Sequence, residues 1–333
     1  KAIELVDEIV NHTDLDDMDR IMQIIREKRA RLEGAIFDSG HRIAMKKVLS
    51  YSTNRGAYDE KISGLDYYDF LVNIEKEDKK SKISDSLKKV RDLIFNKGNM
   101  LISYSGKEEE YENFKEKVKY LISKTNNNDF EKEEYNFELG KKNEGLLTQG
   151  NVQYVAKGGN YKTHGYKYSG ALSLLESILG FDYLWNAVRV KGGAYGVFSN
   201  FRRDGGAYIV SYRDPNIKST LEAYDNIPKY LNDFEADERE MTKYIIGTIR
   251  KYDQPISNGI KGDIAVSYYL SNFTYEDLQK EREEIINADV EKIKSFAPMI
   301  KDLMKEDYIC VLGNEEKIKE NKDLFNNIKS VIK

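Results

Sequence analysis

The chain has 333 residues, 40% hydrophobic and 33% charged, with a net charge of −4 and a pI near 5.7. That balance excludes a disordered chain, allows two domains, and offers no broad basic surface for nucleic acid or anionic membrane. No apolar run reaches the roughly 18–20 residues of a membrane span, and the lone Cys310, inside the apolar run Tyr308–Leu312, predicts core packing and a reducing compartment.

Lys1-Ala2-Ile3 opens in mid-helix without a methionine, so a fragment of a longer protein is expected. Apolar spacing predicts two helices over 3–35, with Asp14 or Asp16 as a cap, then a break at Ser39-Gly40-His41 and a helix through Ala44 and Val48. Residues 50–64 read as turns, Tyr67–Ile74 and Ile83–Phe95 as helices, Met100–Ser105 as a strand, and Glu108–Ile122 as an acidic helix. Thr125–Asp129 is the best linker. The expected division is therefore 1–124, a linker at 125–134, and a second domain over 135–333.

The second part opens with strands at Leu146–Thr148 and Val152–Ala156 and a break at Gly158-Gly159. Ser169 caps a helix carrying Leu172, Leu175, Ile178, Leu179 and Leu184. A hairpin follows, turning at Asp204-Gly205-Gly206 into the strand Ala207–Tyr212, which Pro215 ends. Helices are expected at 217–234 and 236–252, a loop over Gln254–Gly262, helices to Asn287 and Met304, a strand at Tyr308–Leu312 and a last charged helix. Both parts end as helix, short strand, glycine and charged helix, at an offset of roughly 210–220 residues. The fold expected is α+β: two similar domains, each a mostly antiparallel sheet with helices on one face, the first copy truncated.

Chemistry is sparse. His12, His41 and His164 form no zinc motif, so no internal metal site is expected, and His41 reads as packing. Neither a nucleophile motif nor a phosphate loop is present. What remains is Arg189-Val190-Lys191-Gly192-Gly193-Ala194-Tyr195-Gly196. On the residues alone a packed, glycine-rich hairpin is the favoured reading, since glycines in strands mark bulges. The functional alternative has Gly192, Gly193 and Gly196 allowing close backbone approach while Arg189 and Tyr195 donate hydrogen bonds to a carbonyl or oxyanion.

That stretch, with Ser211-Tyr212-Arg213-Asp214-Pro215-Asn216, resembles the C-terminal half of pitrilysin/insulinase-type zinc metallopeptidases, nearest the presequence-protease and falcilysin-like branch. Ser39-Gly40-His41-Arg42-Ile43-Ala44 and Ile62-Ser63-Gly64-Leu65 look like the third domain of that branch. The resemblance implies a four-domain peptidase whose halves close around a chamber for unfolded peptides. An inverted His-x-x-Glu-His motif in its first domain binds zinc and supplies the base. Residues 1–124 would be the later part of domain three and 135–333 domain four, contributing Arg189 and Tyr195 across the chamber. The zinc motif is absent here, so this chain alone is expected to be inactive and to partner the N-terminal half of the same protein. The alternative is a non-catalytic scaffold or peptide-binding subunit of the same fold. The cytoplasm is the expected compartment, with an organellar lumen as the alternative.

Overall fold

Six short segments rich in apolar and β-branched residues pair into one sheet: β1 (Glu144–Thr148), β2 (Tyr154–Asn160), β3 (Gly196–Phe201), β4 (Gly206–Tyr212), β5 (Tyr308–Asn314) and β6 (Asn327–Ser330). The computed structural model describes residues 1–76, 80–129 and 133–332. The strand order is β3-β4-β2-β5-β1-β6. Pairing is antiparallel from β3 through β5 and parallel from β5 through β6, so the α+β class holds with a mixed sheet.

Alternation along β2 sends its side chains to two faces, and both are covered. Val155 belongs to the main core with Ile209, Val311, Leu175 and Ile300, against the helices Ala171–Ile178 and Ala297–Glu306. The helix Gly40–Ser52 packs on the other face, burying Ile43, Ala44, Val48 and Leu49. Helices on one face alone were expected. The glycines explain the difference. Gly158 and Gly159, read from sequence as a break, lie inside β2. A Cβ on Gly158 would stand 2.2 Å from the Ala207 carbonyl oxygen and 2.9 Å from Val48, and one on Gly159 3.0 Å from Leu303. They are close-approach positions for a helix on each side.

The chain divides into two compact units. The sheet belongs to the unit made of Ala30–Phe70, Tyr135–Gln254 and Tyr275–Lys333. This partition differs from a cut at 125–134, because residues 40–52 pack against strands more than 90 residues later, as in the hydrogen bond from the Tyr51 hydroxyl to Glu144 (2.8 Å). Residues 130–132 of the expected linker lie outside the described residues.

The other unit, Lys1–Arg29, Leu71–Glu134 and Pro255–Thr274, is helical among its described residues. Ala2–His12 packs on Tyr111–Lys124. The strand expected at Met100–Ser105 is irregular chain with Leu101 and Ile102 exposed. A strand needs a neighbour for its amides and carbonyls, and the described residues offer only an isolated bridge, Asn96 to Asn126. The expected repeat therefore fails at its strand.

Three other segments differ from expectation. Asn54–Ser63 is a helix, because the Thr53 hydroxyl accepts from the Gly56 amide and nucleates it. Asn258–Ser271 is a helix rather than a loop, capped by Ser257 despite Gly259 and Gly262. The C-terminus closes with β6 after a short helix, Glu315–Glu320.

One buried carboxylate steadies the edge strand. Glu176 Oε1 accepts from the Phe201 amide (2.7 Å) and the Asn200 carboxamide (3.0 Å). Burial pushes its pKa up to about 7, against the opposing pull of those donors and of Lys251. Between its ordinary value of 4.5 and about 7 the native state binds more protons than the unfolded one, so stability falls as pH rises through that window. Glu176→Gln keeps an acceptor and removes the titration. Urea unfolding at pH 5 and pH 8 is expected to show the wild type losing up to about 3 kcal/mol more than the variant. Parallel pH curves would contradict this.

Candidate functional site

The helix Ala171–Ile178 is buried nearly all round and continues as π-helical turns at Leu179–Tyr183 and Trp185–Lys191. Such windings are rare and concentrate at functional sites. Leu179, Leu184 and Val188 anchor the inner face, and Arg189 occupies the last turn. The Gly193 amide donates to the Arg189 carbonyl (2.9 Å) and the Ala194 amide to the Val188 carbonyl (3.1 Å), closing the helix directly onto β3.

Glycine is required at two of the three expected positions. Gly193 has φ +80°, in the left-handed region. A Cβ on Gly192 would stand 2.5 Å from the Val188 carbonyl oxygen. At Gly196 a Cβ would make only ordinary contacts, 3.6 Å or more, so space does not demand glycine there.

The Tyr195 amide donates to the carbonyls of Tyr212 (3.0 Å) and Arg213 (3.3 Å), which fixes Tyr195 at the mouth of the hairpin. Beyond β4, Asp214 is fully buried and accepts from the Asn216 amide (2.9 Å) and the Thr220 hydroxyl (2.7 Å). Burial raises its pKa, and these donors partly offset that. The Asn216 carboxamide then donates to the Gly192 carbonyl (2.6 Å). Thus the Asp214-Pro215-Asn216 turn buckles the loop that carries Arg189 and Tyr195. Sequence alone assigns those three residues no role beyond ending a strand; a turn signal so soon after β4 was the available clue.

The reactive ends are open. The Arg189 guanidinium lies 3.9 Å from the centre of the Trp185 ring, and neither it nor the Tyr195 hydroxyl has a hydrogen-bond partner among the described residues. Tyr195 is 68% exposed. Its ring meets Tyr212 edge-on at 6.1 Å, and Tyr212 meets His41 edge-on at 4.9 Å. His41 sits among Tyr154, Phe198 and Tyr212 with a buried, unpartnered Nδ1, and burial, with Arg42 adding to it, pushes its pKa down. A neutral packing role follows. His164 faces Glu306 at 2.8 Å. Among the described residues no three histidine, cysteine or acidic side chains converge to hold a metal, so the residues present do not fit zinc. Cys310 is buried under Tyr51 and Glu144, and burial pushes its thiol well above the ordinary range. What the arrangement offers is a charged planar donor and a neutral hydroxyl donor, both free, on one closed turn.

A family model described as the PreP C-terminal domain matches residues 143–314, just over half of the chain and including Arg189 and Tyr195. The chain belongs to the presequence-protease family. A second model, for a region associated with M16 peptidases of subfamily C, matches residues 1–74. The Arabidopsis thaliana relative named presequence protease 1, chloroplastic/mitochondrial, is 30% identical over 307 residues, 91% of this chain and 28% of that protein. The Drosophila melanogaster presequence protease, mitochondrial, is 25% identical over 304 residues, again 28% of its length. The presequence-protease chain described here thus spans under a third of these relatives. Two solved structures share its fold at 15% identity. Pitrilysin gives a TM-score of 0.60 over 93% of this chain and 32% of its own. A peptidase M16 inactive domain from Pseudomonas fluorescens gives 0.59 over 94% and 74%.

Proposed function

We propose that this chain is the part of a zinc-dependent oligopeptidase that receives an unfolded peptide in a closed chamber and presents Arg189 and Tyr195 to the bond being cut. On this reading, zinc and the proton-transferring base belong to the N-terminal part of the longer protein. The observation that carries it is the pair of unpartnered donors on a turn locked from both sides, in a chain of a peptidase family. Arginine stays charged at all working pH values and its fork suits a carbonyl or carboxylate. As a peptide carbonyl becomes tetrahedral its oxygen gains negative charge. Donors already held toward that position stabilise it without reorganising, so their bonds strengthen in the transition state.

The compartment is also revised. The relatives' names place them in mitochondria or chloroplasts, which favours an organelle for this chain, and nothing favours the cytoplasm.

The test is metal removal. The full-length protein is expected to cleave an unstructured peptide, to lose that activity on chelation and to regain it with zinc, while the 333-residue chain alone cleaves nothing. Cleavage by the chain alone, or turnover indifferent to chelation, would overturn the assignment. A full-length protein that binds the peptide without cutting it would favour the scaffold alternative.

A further inference from the structure

Arg189 is held by very little besides one ring. Its side chain makes no hydrogen bond among the described residues, yet its guanidinium lies flat enough on Trp185 to sit 3.9 Å from the ring centre. The two residues are four apart on the same π-helical segment, and positions at that spacing are neighbours on a helix surface. Face stacking uses the π-cloud of the guanidinium and leaves its in-plane N–H groups unused. Tryptophan is the strongest aromatic partner for such a cation. Trp185 is itself 40% exposed, so it adds little to the core that Val188 and Leu184 already anchor. A long arginine without such a platform would lose rotamer freedom on meeting a ligand.

We propose that Trp185 is a positioning residue: it clamps the Arg189 guanidinium face-on and leaves the N–H edge free for a carbonyl or carboxylate oxygen of the bound peptide. This rests on the functional reading above. It goes further by saying what aims the arginine. It also supplies a probe, because Trp185 is the only tryptophan in the sequence.

Two measurements test it. In the full-length protein, Trp185→Leu is expected to lower kcat/KM for an unstructured peptide by about two- to thirtyfold, the range for losing one cation–π contact. Trp185→Phe is expected to recover most of that loss. In an Arg189→Ala background, Trp185→Leu is expected to change kcat/KM less than about twofold, since the two substitutions remove one interaction. In the 333-residue chain, titration with a tryptophan-free unstructured peptide is expected to give a saturable change in tryptophan emission that Arg189→Ala abolishes, a readout independent of activity and of whether Trp185→Leu folds well. Equal losses from Trp185→Leu in both backgrounds, no loss at all, or an emission change that survives Arg189→Ala would overturn the proposal. If Arg189→Ala itself leaves kcat/KM unchanged, the functional reading falls and the positioning role falls with it. If Arg189→Ala is damaging and Trp185→Leu is not, only the positioning role falls.

Discussion

Lys47→Met is expected to destabilise the sheet-containing unit by about 3–5 kcal/mol, the usual cost of stranding a buried charge. The Lys47 side chain is 6% exposed, with its ammonium 3.0 Å from Glu60, 2.8 Å from Asp66 and 3.9 Å from Glu144. Burial opposes its charge, but Glu60, Glu144 and Asp66 together outweigh that and hold its pKa above the ordinary lysine range. A raised lysine pKa contributes stability that is present below the unfolded value and lost only as pH rises through the higher folded one, so this contribution is intact across neutral pH. Asp66 and Glu144 keep depressed pKa values despite burial, largely because of Lys47. Their share is present above the ordinary carboxylate range and fades as pH falls below it. Without the cation, Glu144 retains Lys329 at 3.0 Å and Tyr51. Glu60 retains only backbone amides on one oxygen, and its other oxygen is already without a partner. Adding Glu60→Gln to Lys47→Met should recover part of the loss. Urea unfolding at pH 7 decides the matter, and a change under about 1 kcal/mol would show that Glu60 finds other compensation.

Arg189→Ala in the full-length protein is expected to lower kcat/KM for an unstructured peptide by about a hundredfold or more, within the range for removing one preorganised donor. Arg189→Lys restores the charge without the planar fork and is expected to recover only part of the loss. The effect should be in peptide turnover and not in folding, because the guanidinium makes no hydrogen bond among the described residues and contacts only an exposed ring. Melting temperatures of wild type and variant measured beside the kinetics check that separation.

Much of the fold was legible because local signals agreed with the final packing. The hairpin was read from Asp204-Gly205-Gly206 between two β-forming runs, and those residues do join β3 to β4. The apolar spacing from Leu172 to Leu184 marked the buried helix that leads to Arg189. What local spacing could not show depends on distant partners. Met100–Ser105 has strand composition and no strand beside it among the described residues. Gly158 and Gly159 look like a break until helices from distant parts of the chain are seen on both sides. The four residues Asn327–Ser330 form β6 only because β1 offers an edge in parallel register.

At the site, the identities of Arg189 and Tyr195 were readable from the motif and its resemblance. Their support was not. The Asn216 bond to Gly192 spans 24 positions, and the Trp185 stack needs a π-helical turn that no residue pattern announces.

Tyr195→Phe is the sharpest probe of a role in the transition state, because it removes one hydroxyl from an exposed ring and leaves the backbone bonds to Tyr212 and Arg213 in place. The quantity to measure is the single-turnover rate of cleavage of an unstructured peptide by the full-length protein. A fall of about ten- to a thousandfold with little change in peptide affinity is expected, as for a donor whose bond strengthens in the transition state. An unchanged rate would mean that the Tyr195 hydroxyl takes no part in the reaction.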